Sequence, residues 1–161
     1  MWQVVAYNCL RCRDASGVRI TQPCHNGLCC QRRFNAEFGE ASPGAERLAA
    51  RVGELTASGD TAVLLAGDGP AGILVIRFQP SLWSQLDEAY IAELYVVPEA
   101  RRRGFGGELM TAALELCRAR GCDYVFIGTD EGDADAHRLY ERFGFTNRSG
   151  DELMYVYERE L

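Results

Sequence analysis

The spacing of hydrophobic residues changes period along this chain, and each change marks an element. From Ala45 to Leu55, Leu48, Val52 and Leu55 recur on one helical face behind Ser42-Pro43-Gly44, a helix-start signal. Thr61 to Ala66 is a short apolar run followed by Gly67-Asp68-Gly69-Pro70, which predicts a strand and a turn. Ala71 to Phe78 predicts the returning strand of a hairpin. Pro80 to Glu88 reads as a polar connection containing Trp83, and Ala89 to Val97 as a long strand closed by Pro98. In the helix-like run Gly107 to Arg120, residues Leu109, Ala112, Ala113, Leu116 and Cys117 share an apolar face with Phe105, and Gly121 is the stop. Asp123 to Gly128 is apolar almost throughout, as in a strand at a sheet centre. Asp133 to Phe143 predicts a short helix ended by Gly144. Phe145 to Asn147 and Leu153 to Glu158 predict closing strands around a Ser-Gly turn. Strands followed by strand-helix-strand-helix-strand describe an α/β or α+β domain with a mixed sheet.

Residues 1–33 stand apart. They are rich in cysteine and arginine, carry almost no acid and keep no sustained period; Gly17 to Thr21 reads as a short strand and Asn26 to Glu37 as a poor helix. The expected organisation is therefore an irregular N-terminal segment, 1–33, and one folded domain, 34–161. At 161 residues the chain is long enough to bury a sizeable core. No apolar run reaches the length of a membrane span, and Met1-Trp2-Gln3 lacks the regions of a signal peptide, so the expected location is cytoplasmic.

Charge and cysteine content narrow the chemistry. A net charge of −6 argues against nonspecific nucleic-acid binding and mildly favours cationic small molecules. All 17 basic residues are arginine, which excludes a Walker A phosphate loop and a Schiff-base lysine. Seven cysteines, five of them between Cys9 and Cys30, most simply read as reduced thiols. A zinc reading has Cys9-x-x-Cys12 with Cys24, His25, Cys29 and Cys30, but the second knuckle is missing, and no metal is expected.

The most informative stretch is Arg101-Arg102-Arg103-Gly104-Phe105-Gly106-Gly107. A glycine-rich turn feeding a helix points unblocked backbone N–H groups at an anion, and the helix dipole favours negative charge there. Adjacent arginines add forked donors suited to phosphate oxygens. Gly104-Phe105-Gly106 lacks the third glycine of a dinucleotide fingerprint.

The run Glu93-Leu94-Tyr95-Val96-Val97-Pro98-Glu99-Ala100-Arg101-Arg102-Arg103-Gly104-Phe105-Gly106 resembles the acetyl-CoA signature of the GNAT superfamily of N-acetyltransferases, Gln/Arg-x-x-Gly-x-Gly/Ala after a Val-x-Pro strand. Downstream, Ala136-His137-Arg138-Leu139-Tyr140-Glu141-Arg142-Phe143-Gly144-Phe145 is similar to the family's A-x-x-L-Y-x-x-x-G-F block. The resemblance covers roughly Phe34 to Glu158. It implies a mixed, mostly antiparallel sheet of about six to seven strands, flanked by helices, whose two central strands splay to admit the pantothenyl arm of CoA. It further implies that backbone groups of Tyr95, Val96 and Val97 pair with that arm. Amides from Arg102 to Gly107, beside Arg101, would hold the pyrophosphate. Acetyl-CoA as donor, an amine-bearing acceptor and a homodimer follow as expectations, with no metal.

Acetyl transfer needs a neutral amine. An amine of pKa about 10.4 costs roughly 4–5 kcal/mol to deprotonate at pH 7 unless a base or a water chain helps. Glu93, the only ionisable residue inside the strand leading to the glycine turn, reads either as that base or as a half-exposed strand carboxylate. Tyr140 matches the family's general acid at the departing thiolate; its other reading is a core tyrosine. Asp87 and Glu88 read as solvated loop acids or as attractors of a cationic acceptor. Phe34 and Trp83 read as core aromatics or as lining of the acceptor pocket. Asp133 stands where the family usually has Asn and, with Asp135, reads as a helix cap. The block Asp130-x-Gly132-Asp133-x-x-Ala136-x-x-Leu139-Tyr140, with Glu93, is similar to that of aminoglycoside 3-N-acetyltransferases. Against this stands the irregular start, where members normally have a strand and an amphipathic helix. An acyl-CoA-binding regulatory module without catalysis is the alternative reading.

Overall fold

The computed structural model describes residues 3–5, 39, 44–67, 71–159 and 161. The expectations for 17–21, 26–37, the cysteine-rich segment, Phe34, the turn at 68–70 and the boundary at 33/34 lie outside the described residues. Eleven segments follow in chain order: β1 (Gln3–Val5), α1 (Ala45–Ala57), β2 (Thr61–Ala66), β3 (Gly72–Pro80), β4 (Asp87–Val96), a 3-10 turn (Pro98–Ala100), α2 (Phe105–Arg120), β5 (Tyr124–Ile127), α3 (Ala134–Arg142), β6 (Arg148–Ser149) and β7 (Glu152–Leu153).

The first five strands form one mixed sheet in the order β1-β2-β3-β4-β5, and β6 and β7 form a separate hairpin. Pairs β1–β2, β2–β3 and β3–β4 are antiparallel, while β4–β5 is parallel, joined through α2. The hairpin and both α2 and α3 lie where the periodicity predicts them. Strand β1 had no signature of its own. The expected sheet-centre strand is instead last in the order among the described residues, because only alternate residues, Val125 and Ile127, pack on the core. Of the strand expected over Leu153 to Glu158, only Leu153 is in a strand, and residues 154–158 join neither sheet and are exposed.

Two apolar layers hold the sheet. On one face Ala62, Leu64, Leu74, Ile76, Ala89 and Ile91 meet Leu109, Met110, Ala113 and Cys117 of α2. Each fully buried Leu, Ile or Met contributes roughly 1.5–3 kcal/mol, so this face carries most of the apolar stabilisation. On the other face Val63, Leu65, Ile73 and Tyr95 form a smaller cluster that Val52 of α1 packs against.

The pairing of β3 with β4 contains one irregularity. Val75 faces Glu93 and Ile76 faces Ile91, so Ala92 is an extra residue on β4. A bulge of this kind bends its strand and raises its twist. It also reverses the faces: Ala89 and Ile91 belong to the α2 layer, whereas Tyr95 belongs to the α1 layer. Glu93, opposite Val75, therefore stands on the α1 face.

Helix α2 sits tightly on β3 and β4 at Gly72. A β-carbon there would lie 3.0 Å from Leu109 Cδ1, 3.2 Å from the Tyr95 carbonyl oxygen and 3.3 Å from Val96 Cγ2. The carbonyl cannot yield without breaking the strand. Gly72→Ala should thus destabilise the protein by about 1–3 kcal/mol, measured by urea unfolding; an unchanged midpoint would show that α2 rides freely over the sheet.

Candidate active site

Parallel pairing of β4 with β5 runs only from Glu88–Tyr124 to Ile91–Ile127. Beyond the Ala92 bulge, β4 continues to Val96 with β3 as its sole strand partner among the described residues. The side of β4 that faced β5 is thus open from Ala92 onward. Antiparallel pairs alternate between bonded and non-bonded rows. The Val97 N–H donates to the Ala71 carbonyl at 3.0 Å. By alternation, the backbone groups of Tyr95 point towards β3, and those of Val96 and Leu94 point into the opening. Of the three residues expected to pair with a pantothenyl arm, Val96 alone is turned that way. The Val97 carbonyl accepts from Ala100 N–H at 2.8 Å, so both its backbone groups are engaged. Leu94 was not anticipated; strand alternation was the signal that could have found it.

The 3-10 turn carries the chain from β4 into the glycine turn. Arg101 does not reach outward; its Nε donates to the Val96 carbonyl at 3.0 Å and its guanidinium lies over the Tyr95 ring at 5.8 Å. Arg102 adopts φ 64°, a left-handed conformation unusual for a side-chain-bearing residue. Arg103 lies over the Phe105 ring at 5.4 Å. Gly104, at φ 94°, makes the turn into α2 without a side-chain cap, and the first turn of the helix starts with Glu108 N–H on the Gly104 carbonyl at 3.0 Å. Among the described residues, no acceptor meets the backbone N–H groups from Arg102 through Gly107. They lie at the positive end of a helix dipole, a position that fits phosphate oxygens.

Helix α3 closes the other side. Asp133 caps it as expected, its carboxylate accepting from Ala136 N–H at 3.0 Å. Asp135 is ion-paired with Arg138; that partner first, then Arg102 and Arg101, holds its carboxyl below the usual range, so this helix start lies near the glycine turn. Arg142 on α3 reaches back over α2: a β-carbon on Gly107 would stand 2.9 Å from its Nη2. That guanidinium, too, was not anticipated.

Tyr140 packs from α3 onto the α2 layer, its ring 6.3 Å from that of Phe145. Among the described residues nothing hydrogen-bonds its hydroxyl. Burial first, and the Asp133 charge second, push the phenol up to about 12. Proton transfer from such a phenol to a thiolate of pKa about 8.5 is uphill by roughly 5 kcal/mol. The phenol therefore keeps its proton at neutral pH. Glu93, half-buried, stands on the opposite sheet face from Tyr140.

The remaining candidates are elsewhere. Trp83 is 93% exposed at the tip between β3 and β4, at the far end of β4 from the glycine turn. Glu88 faces Tyr124 on β5 and accepts from Gln79 Nε2 at 2.6 Å. Burial pushes the Cys117 thiol up to about 12, and burial also raises that of Cys122, which suits core packing. Among the described residues no cluster of His, Cys, Asp or Glu is arranged to hold a metal ion, and no helix is long and apolar enough to cross a membrane.

The description of the acetyltransferase (GNAT) family matches residues 30–145. The chain belongs to the GNAT acetyltransferase family. A mycothiol acetyltransferase of Beutenbergia cavernae is 33% identical over 118 residues, covering 71% of this chain and 38% of that protein. The chain thus spans well under half the length of that relative. A crystal structure assigned to an acetyltransferase from Arthrobacter sp. FB24 superposes with TM-score 0.78 at 38% identity, over 92% of this chain and 100% of that one. The aminoglycoside acetyltransferase meta-AAC0020, solved with sisomicin, shares the fold at TM-score 0.64 and 23% identity, over 84% of this chain and 92% of its own. Family membership implies acetyl-CoA as donor.

The raised phenol and thiol have a consequence for stability. Unfolded tyrosine and cysteine ionise near pH 10 and 8.5, before Tyr140 and Cys117 do in the native protein. Their contributions are complete below pH 8.5 and disappear as pH rises towards 12. Thermal melts should therefore fall over that window, and less steeply in Tyr140→Phe and Cys117→Val; parallel slopes in all three proteins would contradict the assignment.

Proposed function

We propose that the protein is an N-acetyltransferase that moves the acetyl group of acetyl-CoA directly to an amine of a small molecule or peptide within a ternary complex. The observation that carries this reading is two groups of backbone donors on either side of the internally bonded turn at 97–101. The Val96 carbonyl is taken by Arg101 Nε, which leaves the backbone of Leu94 and the Val96 N–H on the open side, ahead of the N–H groups from Arg102 to Gly107. The pantothenyl arm pairs with the first part, and the pyrophosphate rests on the second.

Glu93 takes the amine proton, directly or through a water, which offsets the roughly 4–5 kcal/mol cost of a neutral nucleophile at pH 7. The amine nitrogen attacks the thioester carbon, and an open-side N–H of the strand around Val96 stabilises the developing oxyanion. The carbon–sulfur bond breaks, Tyr140 donates a hydrogen bond to the departing thiolate, and the proton released by the amine finally neutralises the sulfur. Cytoplasmic acetyl-CoA supplies the donor. The exposed Tyr155, Val156 and Tyr157, with β5 unpaired on its outer side among the described residues, support a homodimer.

Free CoA release, read by a thiol reagent across a panel of amines, tests the reading. Glu93→Gln should lower kcat about 100-fold or more, and Tyr140→Phe about 10- to 100-fold, each with little change in acetyl-CoA affinity. Acetyl-CoA binding without CoA release from any amine would instead make the protein a binding module.

A further inference from the structure

The sheet face that bears Glu93 also bears three aromatic rings just before the bulge. Tyr90 and Phe126 are direct partners across β4 and β5, their rings stacked at 5.0 Å and 20°. Tyr124 lies 6.1 Å from Phe126 at 31° and is 56% exposed. Their neighbours Ala89, Ile91, Val125 and Ile127 all pack on the α2 layer, so alternation directs the three rings to the opposite side. The Tyr90–Phe126 row is the last but one in which β4 and β5 remain paired. The aromatic wall therefore ends where the opening begins.

Charge frames the wall. Glu88, paired with Tyr124, closes one end, and Glu93 beyond the bulge closes the other. Arg77, paired with Tyr90, flanks it on the β3 side. A stacked cross-strand pair adds to sheet stability. Yet a partly solvated sheet face ordinarily carries polar residues, and three clustered rings beside a reaction site offer apolar surface to a ligand.

We propose that Tyr90, Phe126 and Tyr124 carry the body of the acceptor and select primary amines borne on a ring with an apolar face. The proposal rests on the acetyl-transfer reading above. An ammonium held at Glu93 brings its carrier over the row immediately before the bulge. A ring there covers aromatic surface that a short linear amine leaves wet, and ring C–H groups meet the aromatic edges and faces. Glu88 offers a second anionic contact to any further cationic substituent. A sugar ring and a hydrocarbon ring share this chemistry.

Steady-state kinetics with cyclohexylmethylamine, D-glucosamine and n-butylamine test it. The expected result is a kcat/KM at least tenfold higher for one or both ring amines than for n-butylamine. Phe126→Ala and Tyr90→Ser should raise KM for the preferred ring amine about tenfold more than KM for n-butylamine, with kcat moved far less. Tyr90→Phe should restore the preference, and Phe126→Leu, which keeps volume but loses the ring, should not. The relative success of the two ring amines assigns the ring type. Equal use of all three amines, or equal KM changes for ring and linear amines, would overturn the wall as a selector while leaving acetyl transfer intact. Failure of the unmodified protein to release CoA with any amine would remove both readings.

Discussion

One extra residue in β4, Ala92, sets the geometry on which the site depends. Strict alternation from Ile91 would place Glu93 in the α2 layer, among Leu109, Met110 and Ala113, where an ionised carboxylate costs several kcal/mol to bury. The bulge instead delivers Glu93 to the opposite face, beside Val75 and Tyr95. The same insertion falls where pairing with β5 stops, at Ile127. Carboxylate placement and the opening of the sheet are therefore one event. Gly72 completes it by letting α2 press against the bent part of β4, which fixes the start of the helix relative to the opened edge.

On the donor side the three arginines divide their work. Arg101 turns back to Val96 and ties the glycine turn to the strand end. Arg102 accepts a left-handed backbone at a cost of about 1–3 kcal/mol. Its strain is compatible with the row of N–H groups that all remain available through Gly107. An anion placed at this turn would meet the backbone N–H groups and the helix dipole first, with guanidinium charge as support. Arg142, arriving from α3, adds positive charge over the first turn of α2, where a cation is unfavourable without an anion to offset it.

Much of this was legible in the sequence wherever neighbouring residues encode a feature. Thr61 to Ala66, α2 and its Gly121 stop, and the Asp133 cap each announce themselves within a few positions. The bulge left no such trace, because Ala92 carries no turn chemistry and an extra residue in an apolar run does not disturb composition. Without it, the faces of Glu93 and Tyr95 could not be assigned, nor could the outward row of Leu94 and Val96. β5 was misread as central because Tyr124 and Phe126 look apolar on paper, while in the sheet they form a second, partly exposed face. Trp83 drew notice as an aromatic, but the serine-braced tip that holds it at Ser81 and Ser84 projects it into solvent.

The two halves of the site differ in the material they are made from. The proposed donor side is chiefly backbone, at Leu94, Val96 and Arg102 to Gly107, so its recognition would be written in neighbouring residues and in glycines. The acceptor wall is made of side chains drawn from β3, β4 and β5, and none of Arg77, Glu88, Tyr90 or Phe126 carries a signature alone. Backbone donors persist whatever side chains face outward, provided that the turn and bulge survive. Side chains on the wall stand on paired strands ahead of Ala92 and are not part of the bulge itself. With the donor and acceptor sides proposed above, this construction would separate the capacity to hold an acyl-CoA from the choice of amine, so that the acceptor could change by substitution on one sheet face.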